Sequence, residues 1–191
     1  MNTQFSTSMV PSNAEELLRG LVDKKVARLV RYSWWPGEEI SVQCGIKDEQ
    51  GFSLTAGPLA VYFEGGAILG LASDPSLNSV IVWDEAARRN AGDCASLEND
   101  DELFAIAETG PFSTSYWRQF TGLPLKGVVI LKRMEMNAKE QERPSEVGLN
   151  LKFEGGKGFV ASHGLHDNSD DFSVLEETEI AGLKLKEITI I

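Results

Sequence analysis

The chain is poor in the residues that most often carry chemistry. Its 191 residues include two cysteines, Cys44 and Cys94, and two histidines, His163 and His166. Two cysteines are too few for the disulfide framework of a small secreted domain, so buried thiols are expected. No apolar run approaches the ~18 residues that read as a membrane span. The opening MNTQFSTSMVPSN has no basic segment followed by an apolar one, which predicts no secretory signal. Bases are the scarce charge: 18 Lys and Arg against 29 Asp and Glu give a net charge of −11. A surface of that sign repels nucleic-acid phosphates and attracts basic proteins. These absences predict a cytoplasmic protein with no nucleic-acid and no membrane partner.

Chemical motifs are missing too. The phrase FEGG occurs twice, at 63–66 and 153–156. Glycines can cradle a phosphate, but a P-loop needs a strand, then G-x-x-x-x-G-K-[ST], then a helix. Here strand-like runs flank the glycines on both sides, and no Lys-Ser or Lys-Thr follows. His163 and His166 stand three apart beside Asp167, Asp170 and Asp171, a set that could in principle hold a metal. They fall in a loop between two strands, with no helix to fix that spacing, so a solvated turn is expected. Cys44 has no basic partner nearby, and Cys94 sits in no recognisable nucleophile elbow. No catalytic residue, cofactor or metal ligand is assigned, and the protein reads as a non-enzyme.

What is present is a repeated plan. Gly-Gly between two β-rich runs suits a two-residue hairpin turn with positive φ at both positions. That register sets Phe63 opposite Ile68 and Glu154 opposite Lys157, with Leu59, Val61 and Phe63 on the core face. Residues 17–30 align with 116–129, Arg19 over Arg118 and Leu21 over Phe120, and VIVWDE (80–85) aligns with FSVLEE (172–177). The predicted fold is α+β, mainly antiparallel sheet with a few short helices, in two similar helix-strand-hairpin-strand halves. Residues 1–11 read as a flexible leader. Pseudo-repeats at about 12–85 and 113–177 are joined by a helical connector, 86–112. Helices are expected near 13–23, where Ser12 and Glu15 fit a capping box, near 99–108, where Asn99 and Glu102 could do the same, and near 113–121. Strands are expected at 25–35, with Val26, Arg28, Val30 and Tyr32 on one face, and at 38–46 as its hairpin partner. Further strands are expected at 78–85, 125–136, 170–177 and 183–191.

Candidate contact residues come from two features. Trp34 and Trp35 are neighbours on a strand, so they point to opposite faces, one buried and one partly exposed; exposed aromatics anchor interfaces. Asp100 and Asp101, and Asp170 and Asp171, belong to acidic loops suited to a basic partner. The short α+β chain, the acidic loops and the missing catalytic set, with 143–177 as its β-rich stretch, resemble the immunity proteins that guard bacteria against polymorphic or contact-dependent toxins. The resemblance implies a protein that occludes the active site of a cognate toxin, using acidic and aromatic side chains. A small-ligand-binding or enzymatic domain with its site between the halves is the second reading, and an acidic secretion chaperone the third.

Overall fold

A computed structural model describes residues 7–191. It is α+β, built from two antiparallel five-stranded sheets and a few short helices. The chain begins with α1 (Glu15–Arg19) and β1 (Val26–Ser33), then an insertion carrying α2 (Gly37–Cys44) and α3 (Gly51–Leu54). Strands β2 (Leu59–Phe63), β3 (Ile68–Asp74) and β4 (Ser79–Asp84) follow as a meander. The connector holds α4 (Glu85–Asn90) and β5 (Phe104–Ala107). A 3-10 turn at Trp117–Phe120 precedes β6 (Leu125–Arg133), α5 (Ala138–Gln141), β7 (Gly148–Phe153), β8 (Lys157–His163) and β9 (Phe172–Glu176). The chain closes with α6 (Glu177–Ile180) and β10 (Leu185–Thr189).

The sheet orders are β4-β3-β2-β1-β5 and β9-β8-β7-β6-β10. They correspond strand for strand, and so does their register. Val26 pairs with Phe63 and Leu125 with Phe153, each followed by a bulge in the first strand of its meander. Val30 pairs with Ala107 on β5, and its counterpart Val129 pairs with Thr189 on β10. Alternation then sends Leu59, Val61, Leu149 and Leu151 into one shared core between the sheets. The sheets meet at a corner where Lys25 and Pro124 pair. There each FEGG glutamate donates its backbone N–H to the start of the neighbouring strand, Glu64 to Lys25 O (2.8 Å) and Glu154 to Pro124 O (3.1 Å).

Both glycine turns are one residue longer than expected. Tyr62 faces Ile68, Phe63 N–H donates to Ala67 O (2.9 Å), and Phe153 faces Lys157, so Glu-Gly-Gly forms a three-residue loop. All four glycines have positive φ, from 73° to 90°, as the local chirality requires. Glu154 therefore does not face Lys157; its carboxylate lies 4.0 Å from Lys126.

Four other expectations are corrected. Residues 38–46 form α2 and not a strand; β1 pairs with β2 on one edge and with β5 on the other. Glu38 and Glu39 stand in the first turn of α2, favourable for the helix dipole, and Gly45 at φ 66° ends it in the left-handed conformation. Residues 99–108 do not form a helix: Asp100 Oδ1 accepts from Glu102 N–H (3.0 Å) in a local turn, and β5 then adds to the free edge of β1. Tertiary pairing outweighs the local capping signal. The first helix is shorter than 13–23, since Ser12 N–H donates to Glu146 Oε2 (3.0 Å) instead of entering a capping box. The β1 bulge changes the facing of that strand: Val26, Leu29 and Arg31 point inward, while Val30 and Tyr32 pack on the outer face. Of the expected leader, residues 1–6 lie outside the described residues, and Met9 pairs with Val82 on β4.

A glutamate closes the outer face of each sheet. Glu85, buried at the start of α4, accepts from Trp83 Nε1 (2.6 Å), Ser96 Oγ (2.8 Å) and Leu97 N–H (2.8 Å), holding the connector down. Its counterpart Glu177 accepts from Asn150 Nδ2 (2.8 Å) and Lys152.

Candidate functional site

A cleft of about 330 Å³ opens between the two halves. Trp35, Cys44 and Leu54 line it from the first half; Asp167, Asp171 and Ser173 line it from the second. Trp35 lies two residues past the end of β1, and Cys44 and Leu54 come from the insertion. The opposing wall is the turn between β8 and β9 with the first residues of β9.

Arg31 fastens these walls together. Its guanidinium is fully buried, donates to Thr55 O on one side and to Phe172 O on the other (2.8 Å), and lies 4.5 Å from the centre of the Phe172 ring. Burial lowers its pKa to about 9, so it remains charged at neutral pH. Ser33 Oγ hydrogen-bonds Thr55 Oγ1 (2.7 Å) and accepts from Trp35 N–H (3.1 Å), which fixes Trp35 at the strand end. On the other wall, Arg133 donates to Gly164 O (2.9 Å) and Asn168 Oδ1 (3.1 Å). Gly164 N–H donates to Asp171 O (3.2 Å), closing the turn.

Asp167 and Asp171 line the cleft, and no lysine or arginine does. The insertion that supplies the other wall carries Glu38, Glu39, Asp48 and Glu49 against Lys47 alone. Hydrogen bonds from the Ser169 side chain and backbone hold the Asp167 carboxyl below its ordinary range, so it is ionised at neutral pH. Ser173 is buried, and its hydroxyl has no hydrogen-bond partner.

The sequence-selected residues divide between two places. Trp35 and Asp171 line the cleft, Asp170 is exposed beside it, and Trp34, 47% exposed, precedes Trp35. Asp100 lies elsewhere, in a groove of about 420 Å³ on the outer face of the first sheet, with Arg28, Tyr32, Leu97 and Glu98; Asp101 is exposed next to it. No residue lines both. In that groove Tyr32 OH bonds Tyr62 OH (2.9 Å), which donates to Glu98 (2.8 Å), and Arg28 sits 3.3 Å from the same carboxylate. Burial raises the pKa of both tyrosines, which stay protonated, and Arg28 balances Glu98. The groove thus carries a cation among its carboxylates, whereas no lysine or arginine lines the cleft.

Sequence reasoning missed Arg31, Cys44 and Ser173. Arg31 stands between Val30 and Tyr32 and reads as an outward charge until the bulge reverses the alternation. Cys44 is half-buried at the end of α2, and Cys94 is exposed on the connector; neither is a core thiol. His163 is buried at the end of β8 and His166 is exposed in the turn, so the pair does not converge.

His163 makes the acidic turn sensitive to pH. Its Nδ1 has no partner, its Nε2 is 3.8 Å from Asp170, and Arg133, Asp74 and Asp171 also act on it. Burial is the largest influence and lowers its pKa below the usual value. The unfolded chain then takes up the proton first, so this contribution to stability is complete above about pH 6.5 and is lost as pH falls through the lower folded value. Urea unfolding between about pH 7 and pH 5 is expected to show a stability loss that His163→Gln reduces. Equal slopes for the two proteins would contradict the assignment.

The structure defines an α+β protein of two antiparallel sheets with an acidic, tryptophan-lined cleft between its halves. No protein-family model, curated protein or solved structure matches the chain. Among the described residues no helix is long and apolar enough to cross a membrane.

Proposed function

We propose that the protein is a non-catalytic cytoplasmic binding module that neutralises a basic protein partner, as an immunity protein does its cognate toxin. The observation that carries this reading is the meeting of Trp35 and Asp171, from opposite halves, in one cleft that Asp167 also lines and no lysine or arginine does. Unscreened carboxylates steer a cationic surface into place and raise the association rate, and a half-buried tryptophan supplies contact energy at the centre. The partner's active site is blocked by the acidic walls that flank the cleft.

Co-expression with the product of the adjacent reading frame tests this. Blocked toxicity and a nanomolar complex are expected. Trp35→Ala should weaken the complex by about 2 kcal/mol or more, roughly thirtyfold. Charge reversal at Asp167 and Asp171 should slow association and flatten its salt dependence. In the complex, alkylation of Cys44 should slow while Cys94 reacts as before. Unchanged toxicity, together with a metabolite retained in the cleft of the purified protein, would overturn this reading in favour of a small-ligand domain.

A further inference from the structure

Resting on that reading, we infer that the cleft is a receptor for a single arginine side chain of the partner. Its volume lies at the bottom of the ~300–1,000 Å³ range of small-ligand sites, a size suited to one side chain. The wall chemistry selects a cation: Asp167 and Asp171 line the cleft, and no lysine or arginine does. It also selects a flat, delocalised cation over a compact one. Trp35 offers an indole for a guanidinium to stack on, whereas an ammonium is more strongly hydrated and loses more on leaving water for a wall that includes Leu54 and Ile46. Ser173 adds a buried hydroxyl with no partner, and a guanidinium brings five N–H donors that need acceptors.

The placement of Arg31 sets the depth of insertion. Its charge lies against Phe172, which itself lines the cleft, so like charges would meet if the incoming guanidinium reached that wall. The carboxylates and Trp35 therefore hold the guanidinium on the Asp171 side, away from Phe172.

The test uses the full chain, labelled with 15N and titrated with Nα-acetyl-arginine amide. The Trp35 indole N–H and the backbone amides of Asp171 and Ser173 should shift and saturate, with half-saturation on the order of 1 mM for so small a probe. The neutral isostere Nα-acetyl-citrulline amide should bind at least tenfold more weakly, and the lysine analogue should be weaker than the arginine probe. Asp171→Asn, a change at an exposed position, should weaken the arginine probe about tenfold, one hydrogen-bonded charge in the scale of ~1.4 kcal/mol per decade. The probe should also slow alkylation of Cys44 and leave Cys94 untouched. No saturable shift at Trp35, equal binding of the citrulline analogue, or equal protection of both cysteines would overturn the inference. If the arginine probe binds as described and no partner is neutralised, the immunity reading falls and the arginine site stands. If a partner is neutralised and the probe leaves Trp35 unmoved, the arginine site alone falls.

Discussion

Trp117→Ala is expected to cost about 3–5 kcal/mol, enough to leave a marginally stable domain largely unfolded. Trp117 has no exposed surface and stands where three parts of the chain meet. Its ring centre is 5.0 Å from Phe52 of α3, 5.1 Å from Tyr116 beside it and 5.9 Å from Phe159 of β8, the last two edge to face. Its Nε1 donates to Ser53 Oγ (3.1 Å). Removing the indole takes away burial, several favourable ring pairs and the packing surface that seats the insertion. Neighbouring aromatic rings are too rigid to fill the space, so the cavity persists. Trp117→Phe keeps a ring and should lose roughly half as much, with Ser53 left without its donor. Urea unfolding followed by circular dichroism measures both. A loss below about 1.5 kcal/mol for the alanine variant would mean that the insertion is held by other contacts.

Arg31→Ala is expected to lose about 2–4 kcal/mol and to loosen the cleft, whereas Arg31→Met should stay within about 1.5 kcal/mol of the native protein. The guanidinium is deeply buried and no carboxylate pairs with it; its contribution comes from two carbonyls and one ring. Burial of the charge is itself costly, so its removal returns part of what the hydrogen bonds and the lost volume take away. Methionine fills the space without the charge, and alanine does not. Alkylation of Cys44 provides a local readout, since its rate should rise more in the alanine variant than its global stability predicts. Equal losses for alanine and methionine would show that the charge, and not the volume, holds the walls together.

Much of the fold is legible in the sequence because its strands are locally encoded. The alternation in LAVYF and LNLKF, closed by glycines, marks both hairpins, and the aligned stretches 17–30 and 116–129 carry the shared register of the two sheets. The errors fall where a partner distant in sequence decides. The stretch 38–46 is short and mixed enough to read as a strand, yet it forms a helix and leaves one edge of β1 to a later segment. The stretch 99–108 has a capping signal, yet pairs with β1 because that edge is open. Even the glycine turns are missed by one residue, since the main-chain bonds of Glu64 to Lys25 and of Glu154 to Pro124, at the start of the neighbouring strand, favour the longer loop.

The candidate site divides in the same way. Trp35, Asp170 and Asp171 are recognisable from residue type alone, because an exposed aromatic and a carboxylate keep their chemistry in any fold. Their meeting is not recognisable, because the segments that carry them come together through packing between the halves and through Arg31. Sequence alone determined the acidic charge and the two glycine-closed hairpins, properties of composition or of neighbouring residues. Only tertiary structure decided which acids surround the cleft, which face Arg31 takes and where the two halves open, since each depends on contacts between residues far apart in the chain.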